Sequence, residues 1–486
     1  MDLAITLDHH SSLPLHRQLY DELRNSILIG RLTAGDRVPS TRSLADSLGI
    51  SRSTVTHSYD QLISEGYLET AIGSGTSVSA QLPDELLQAP VVKSARQSVP
   101  IKRTSIRLSG YGASLREIVR EPEEPNPSIS FNYCRPAADH FPVEQWRRLL
   151  LRQYRSRDPK LLEYAEDGRG YRPLREAVAS YLARSRAVRC DAEQVLIVNG
   201  SQQGLQLTAQ VLLDRGDVVA MEDPGYLGAR YVFQMHGARL EPVPVDESGI
   251  VVDSLPALQT KIAYVSPSHQ FPTGAILSLQ RRLELLAWAE NRGSLIIEDD
   301  YDSEFRYNGR PIPALQGLDQ NEAVIYLGTF SKVLFPSLRI GYLVVPRTLV
   351  EIFERAKWLA DRHTVMLEQR ALADFINEGY LERHLRRMRT LYNKRRQVLV
   401  RALDVQFGER ARVLGENSGM HLMIRLKTTL GNEEIVRRAR AAGVGLMDAR
   451  IYYLGPGGNK EFVLGYAGLS ERKILEGVKR LAKVLN

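Results

Sequence analysis

The chain has 486 residues, a net charge of +7, 43% hydrophobic and 25% charged residues. That length exceeds one ordinary domain core and predicts two or three domains, with the composition of folded globular protein rather than a disordered chain. No run of about 18 apolar residues occurs, so no hydrophobic membrane span is expected, and "MDLAITLDHHSSLPLHRQLYDELR" does not have the basic-then-apolar order of a secretory signal. Cys134 and Cys190 lack metal-site spacing and are expected to be incidental thiols in a reducing cytoplasm. Residues 1–80 hold six Arg, no Lys and nine Asp plus Glu, a net of −3, whereas residues 81–120 carry a net of +4. Bulk positive charge on the N-terminal part therefore cannot be what it binds with. Positive potential comes from residues 81–120 and from the large C-terminal part.

Leu15, Leu19, Leu23 and Ile27 recur every four residues and predict an amphipathic helix. After a turn at Gly35 and Asp36, Ser40 is placed to cap a short helix with Leu44, Ala45 and Leu48 on its apolar face, and Gly49 ends it. Ser51 caps a third helix with Val55, Tyr59, Leu62 and Ile63 inward and Arg52, Ser53, Thr56 and His57 outward. "GYLETAIGSGTSVSA" then predicts a hairpin with Gly73, Ser74 and Gly75 at its tip. This order is a winged helix-turn-helix, whose third helix enters the major groove. Small hydroxyl residues there allow close approach, the helix N-terminus favours a phosphate, and Arg52 suits a guanine edge or a phosphate. A three-helix protein-docking unit is the alternative, and the acidic balance of the module is a point for it.

"VPSTRSLADSLGISRSTVTHSYDQLISEGYLETAIGSGTSV" resembles the GntR-type winged helix over nearly its whole length. The resemblance rests on P-S-x-R-x-L-A, L-G-x-S-R-x-T-V, L-x-x-E-G-Y-L and a G-x-G-T wing. It implies DNA contacts from Arg42, Arg52, Thr54 and Thr56, with Gly75 and Thr76 in the wing. The expected module spans residues 1–80. Residues 81–128 lose periodicity and are rich in Pro, Ser and charge, which predicts a linker able to span tens of Å. Its basic first half suits DNA phosphates; a plain tether is the alternative.

From residue 129 to 486 strands and helices alternate. Strands are predicted at 194–200, 217–222, 262–267, 294–300, 324–330 and 340–346, with amphipathic helices between, which gives a large α/β domain with a mostly parallel buried sheet. Its chemistry should lie at strand ends. "VNGSQQGL" offers Ser201, Gln202 and Gln203 at a helix start, an anion site for a phosphate. "IIEDDYDSEF" ends an apolar strand in carboxylates that need a cationic partner. "GTFSKVLFPSLRIGY" puts Lys332 after a strand, with Thr329, Ser331 and Arg339 nearby. A phosphate cradle, a strand-end carboxylate and a loop lysine together fit pyridoxal 5'-phosphate, the lysine as Schiff-base partner and the carboxylate on the pyridine nitrogen. Singly, the lysine could be a solvated side chain and the acidic pair a Mg²⁺ site.

The stretches "GYRPLREAVASYL", "VNGSQQGLQL", "EDPGYLGAR", "SPSHQFPTG", "EDDYDSEFRY", "TFSKVLFPSLRIGY" and "LGYAGLSE" resemble the fold-type I, class I aminotransferases. With the GntR-type module, the whole chain resembles the MocR subfamily of transcription regulators, which includes the GabR and PdxR types. The implied fold is a winged helix joined by a long linker to a large sheet domain with a smaller C-terminal α+β subdomain. The resemblance implies Lys332 as Schiff-base lysine, Asp299 on the pyridine nitrogen, Tyr301 on the phenolic oxygen and Tyr226 stacked on the ring. It implies Ser201, Gln202, Thr329, Ser331 and Arg339 around the phosphate, with Tyr164 reaching the phosphate of the other subunit, and Arg450 on an effector carboxylate. Two positions depart from the pattern. Phe271 replaces the asparagine of N-P-T-G, for which His269 or Gln270 would have to compensate, and Gly228 stands where the GabR type has a second carboxylate-binding arginine, with Arg230 out of register.

The expected protein is a bacterial cytoplasmic regulator, on the nucleoid when DNA-bound, that binds operator DNA as a head-to-tail homodimer. It would sense pyridoxal phosphate, or an amine or amino-acid effector, through an aldimine at Lys332, with at most slow or partial transamination. The alternatives are a working aminotransferase with an accessory DNA-binding module, and a cofactor-free domain serving only dimerisation.

Overall fold

The computed structural model describes residues 5–9, 11–71, 75–82, 107–118, 127–133, 135–156, 158–161, 163–165, 167–256, 259–307 and 312–485. Cys134, the hairpin tip at residues 73–74 and most of the expected linker lie outside the described residues. The chain divides into two compact units, Met1–Ile106 and Arg107–Asn486. Among the described residues no helix is long and apolar enough to cross a membrane.

In the first unit α1 spans Leu15–Leu28, α2 Thr41–Leu48 and α3 Arg52–Ser64, followed by strands β1 (Leu68–Ala71) and β2 (Gly75–Val78). The cap residues set the boundaries. Ser40 Oγ accepts the Ser43 amide at 3.2 Å, Gly49 closes α2 at a φ of 65°, and Ser51 Oγ accepts the Thr54 amide at 3.1 Å. Each such N-cap is worth about 1 kcal/mol. Leu19, Leu23, Ile27, Leu44, Val55, Tyr59, Leu62 and Val78 form one core. Ile63, expected inside, is only half-buried at its edge. The Tyr59 hydroxyl donates to the Pro39 carbonyl at 2.8 Å and pins the turn before α2. The wing pairs antiparallel from Leu68 opposite Val78 to Ala71 opposite Gly75.

In the second unit the short strand β3 (Ile129–Ser130) pairs parallel with β14 (Val444–Gly445), over 300 residues away in the chain. The unit is built on an eight-stranded sheet. Its strands are β4 (Val195–Val198), β5 (Val218–Asp223), β6 (Arg239–Asp246), β7 (Gly249–Ile250), β8 (Thr260–Val265), β9 (Leu295–Asp300), β10 (Val324–Thr329) and β11 (Gly341–Val344), in the order β4-β11-β10-β9-β8-β5-β6-β7. Neighbours from β10 to β6 run parallel; β11 runs antiparallel to both β10 and β4. All six predicted strands are in it. Side-chain alternation divides the core: Val195 and Ile197 pack with the helices Arg172–Arg186 and Met366–Asn377, whereas Leu196 and Val198 pack with Ser201–Leu212, Leu227–Met235 and Val350–Asp361. Burial on both faces explains why these strands read as unbroken apolar runs. The smaller subdomain is an antiparallel sheet of β12 (Ala411–Leu414), β13 (His421–Leu426), β16 (Glu461–Gly465) and β15 (Met447–Asp448), with the helices Tyr380–Phe407 and Glu471–Leu485. Within the stretch expected as linker, Gly110–Ser114 forms a short helix capped by Ser109, and Ser114 Oγ meets the Met235 sulfur at 3.2 Å.

Candidate cofactor site and DNA-binding module

The site lies where β9 and β10 end and where β4 passes into a helix, the side on which a parallel sheet presents its loops. After β4 the chain turns at Gly200, with φ +81°, and opens the helix Ser201–Leu212 with no side-chain cap on its first amides. Those N–H groups are an anion cradle. Arg339 closes it, its Nη2 donating to the Asn199 carbonyl at 3.2 Å. The φ at residue 200 favours glycine, and a Cβ there would lie 2.5 Å from the guanidinium and push it from this position. Ser331 Oγ is buried and has no hydrogen-bond partner among the described residues, while Thr329 Oγ1 accepts the Ser331 amide at 3.1 Å. A buried hydroxyl without a partner is costly unless a ligand oxygen satisfies it. Gln202 is exposed and donates to the Gly228 carbonyl at 3.1 Å, tying the cradle to the helix Leu227–Met235.

Asp299 and Asp300 point to opposite faces of β9. Asp300 is the structural one. Burial pushes it up, but the Arg186 guanidinium, 2.8 Å away, outweighs this and holds the carboxyl below its ordinary range; Tyr326 donates to it at 2.6 Å. This is the cationic partner that the acidic strand end demanded. Asp299 faces the site and accepts the Tyr264 hydroxyl at 2.5 Å. Burial pushes its carboxyl up to about 7, against the pull of the Tyr264 hydrogen bond and the Lys332 charge. A carboxylate in that state gains most from a protonated ring nitrogen beside it. The Tyr301 hydroxyl donates to the His269 carbonyl at 2.9 Å and lies 3.1 Å from His269 Nδ1, which is 3.0 Å from Asp302. Of the two candidates to offset Phe271, His269 is therefore the one against Tyr301. Gln270 is committed to Glu222 and to the Pro224 and Phe271 carbonyls.

Ser201, Tyr226, Asp299, Tyr301, Thr329 and Lys332 line one pocket. An amine, a carboxylate for a ring nitrogen, aromatic walls and an anion cradle with an unsatisfied hydroxyl fit a phosphorylated pyridine aldehyde.

In the first unit Arg42, Arg52 and Gly75 are exposed, and Thr54 and Thr56 are half-buried, as is Thr76 in the wing. Arg52 Nε lies 3.4 Å from Thr41 Oγ1, which sets the arginine over the start of α2. Thr54 Oγ1 is 2.7 Å from the capping Ser51 hydroxyl, and Thr56 Oγ1 donates to the Arg52 carbonyl at 3.0 Å.

Residues 15–78 match the bacterial regulatory proteins of the gntR family, and residues 129–481 match aminotransferase class I and II. The chain is 40% identical to the probable rhizopine catabolism regulatory protein MocR of Rhizobium meliloti, over 98% of this chain and 95% of that one. It is 32% identical to the pyridoxine biosynthesis transcriptional regulator PdxR of Corynebacterium glutamicum, over 97% and 96%. Among solved structures, the α-aminoadipate aminotransferase LysN of Thermus thermophilus, complexed with N-(5'-phosphopyridoxyl)-L-leucine, superposes with a TM-score of 0.69 at 33% identity, covering 76% of this chain and 94% of that one. The chain belongs to the MocR-type regulators of the GntR family.

In this MocR-type chain five expected residues are not among those lining the pocket: Gln202, Ser331 and Arg339 on the cradle stretches, and Tyr164 and Arg450. Tyr164 is 82% exposed, 6.0 Å from the His363 ring. Arg450 is held by Asp448, with Nε at 2.8 Å and Nη2 at 2.7 Å from the same oxygen. Three pocket residues were not singled out from sequence: Tyr133, Tyr264 and Ser266. Tyr264 and Ser266 lie at the end of β8, and Ser266 donates to the buried Glu222 at 2.7 Å. The only signal for them was a polar residue closing an apolar strand. For Tyr133, brought in from the far N-terminal end of the unit, there was none.

Proposed function

We propose that this regulator binds operator DNA through α3 and the wing and holds pyridoxal 5'-phosphate at Lys332 as its sensing group. When bound, pyridoxal phosphate supplies an aldehyde that captures amines and a ring that withdraws electrons. Lys332 presents the amine that competes with an effector amine for that aldehyde. Asp299 holds a proton at the pyridine nitrogen, and Tyr301 gives up its hydrogen bond to the His269 carbonyl to donate its one hydroxyl proton to the phenolic oxygen. Ser201, Gln202, Thr329, Ser331 and Arg339 hold the phosphate, and Tyr226 covers the ring. The observation that carries the reading is the unsatisfied, buried hydroxyl of Ser331, the residue before Lys332, together with an uncapped helix start that Arg339 closes, in the chain that also carries the gntR module.

Arg42, Arg52, Thr54 and Thr56 contact DNA, with Gly75 and Thr76 at the wing. Leu359 at 78%, Val365 at 62% and Trp358 at 50% exposure are large apolar side chains in the chain stretch around His363, whose ring lies 6.0 Å from that of exposed Tyr164. Such a patch supports coverage by a second copy, so that Tyr164 completes the other subunit's phosphate site. The protein then works as a homodimer beside the cytoplasmic chromosome. Displacing Lys332 alters DNA affinity only as far as the two ligation states differ in their preference for the DNA-binding arrangement.

Borohydride reduction of the protein after incubation with pyridoxal phosphate, followed by peptide mapping, tests the site: the pyridoxyl group is expected on Lys332. Its absence from Lys332 refutes the reading. Sustained turnover with amino donors and 2-oxoacids, over many cycles per site, would instead establish the aminotransferase alternative.

A further inference from the structure

We infer that the second unit carries a further ligand site, for a small hydroxylated dianion, in a cavity apart from the cofactor pocket. The cavity has a volume of about 490 Å³ and shares no lining residue with that pocket. It lies on the Asp300 side of β9, for its wall includes Arg186, the partner of Asp300. Arg306, on the chain after β9, and Arg386 and Arg389, on the helix Tyr380–Phe407, also line it.

These last three arginines pair with no carboxylate among the described residues. Arg306 Nε is buried and has no hydrogen-bond partner there. Arg389 Nε donates to the Glu304 carbonyl at 2.9 Å, which leaves its charge uncompensated. Arg386 and Arg389, three residues apart, are neighbours on one helix face, where like charges repel. The two acids that line the cavity do not relieve them. Glu304 accepts the Tyr181 hydroxyl at 2.9 Å, and burial, with the Asp300 charge close by, pushes its carboxyl up towards the neutral form. Glu382 Oε1 accepts Arg184 Nη2 at 3.3 Å, while its Oε2 is buried without a partner among the described residues.

The cavity thus presents guanidinium donors in excess and one acceptor in want of a donor. Three guanidiniums around one recess suit an anion of more than one charge, since each fork takes its own pair of oxygens. Glu382 Oε2 accepts only, so the ligand must also bring a donor to it. A hydroxyl meets that need. An ammonium would meet like charge from the three arginines. A phosphate monoester and a dicarboxylate share this chemistry when each carries a hydroxyl. The buried Arg306 Nε is reached by a molecule that enters the cavity, not by a DNA duplex lying across its mouth.

Isothermal titration calorimetry of the full chain at constant ionic strength tests the site. The probes are glycerol 3-phosphate and malate, each set against its match without a hydroxyl, propyl phosphate and succinate, and against the monoanion lactate. Glycerol 3-phosphate or malate is expected to bind at one site per chain, at least five-fold tighter than its match and at least ten-fold tighter than lactate. The tighter of the two tells the phosphate ester from the dicarboxylate. Arg386→Gln combined with Arg389→Gln, both exposed, and separately Arg306→Gln, are each expected to weaken that binding at least ten-fold. Arg383→Gln, on the same helix outside the cavity, and Arg339→Gln, at the cofactor cradle, are expected to leave it within two-fold. Binding of neither dianion overturns the inference, and so does binding matched by lactate or by the partner without a hydroxyl. A ten-fold loss in Arg339→Gln places the ligand in the cofactor site and overturns it too. Operator binding weakened in the double variant, with no small dianion bound, assigns the arginines to DNA phosphates and also overturns it.

Discussion

Replacing Asp361 with alanine is expected to cost more than replacing the lysine it pairs with. Asp361 stands behind the phosphate cradle: its Oδ2 accepts Asn199 Nδ2 at 2.6 Å and Gln203 Nε2 at 2.8 Å, and its Oδ1 accepts Lys357 Nζ at 2.5 Å. Lys357 is fully buried, and burial lowers its pKa against the opposing effect of Asp361. Asp361→Ala therefore strands a buried ammonium and two amide donors. Breaking such a pair costs roughly 3–5 kcal/mol. The Asp361 side chain keeps 19% exposure, through which water can enter, so the low end applies, about 3 kcal/mol. Lys357→Met removes the ammonium instead and leaves Asp361 with both amides, a cost of about 1 kcal/mol. Lys357→Met combined with Asp361→Asn should recover most of the loss, since no buried charge remains. Urea unfolding of the cofactor-free protein, followed by the fluorescence of its three tryptophans, measures the series. A second readout separates cradle positioning from stability. Because the Asn199 carbonyl receives Arg339, Asp361→Ala should weaken pyridoxal phosphate about ten-fold, or about 1.4 kcal/mol, while pyridoxal, which has no phosphate, is unaffected. Lys357→Met as damaging as Asp361→Ala, or equal losses for both ligands, would refute the reasoning.

Three further outcomes are expected. Asp299, pushed up to about 7 by burial, binds its proton in the folded protein and releases it when unfolded between pH 4 and 7. Its contribution to stability is therefore present below pH 4 and is lost as pH rises through 7. Cofactor-free Asp299→Asn should accordingly be stabilised relative to wild type at pH 8 more than at pH 5 in thermal melts; a pH-independent difference would contradict this. Gly200→Ala, which combines a φ of +81° with a Cβ 2.5 Å from Arg339, should cost about 1 kcal/mol or more of stability and weaken pyridoxal phosphate about ten-fold. Arg52→Ala should weaken operator binding by about 1–3 kcal/mol in fluorescence anisotropy and leave cofactor affinity unchanged.

Local chemistry was the legible part of this chain. Ser40, Gly49 and Ser51 announce the helix boundaries of the first unit because capping is decided within four residues. The central strands were readable because burial on both faces leaves unbroken apolar runs. β6 was missed: it lies near the sheet edge, carries Pro242 and Pro244, and alternates poorly in burial. In the site, Lys332, Asp299, Ser201 and Thr329 share a pocket and lie on motifs a few residues long. What sequence could not reveal was pairing across long separations. That Asp300 rather than Asp299 takes Arg186, that Asp361 backs the cradle, and that Tyr133 joins the pocket all depend on contacts between segments over 100 residues apart. The commitment of Arg450 to Asp448 spans only two residues, yet sequence proximity does not determine which oxygen an arginine takes.

The most direct test of the account is the affinity of the full chain for DNA upstream of its own gene, measured with and without pyridoxal phosphate, in wild type and in Lys332→Ala. The account predicts that the cofactor, alone or with an amine, changes the affinity of wild type and leaves Lys332→Ala unmoved. Equal affinities for wild type under all conditions, or the same change in Lys332→Ala, would contradict it.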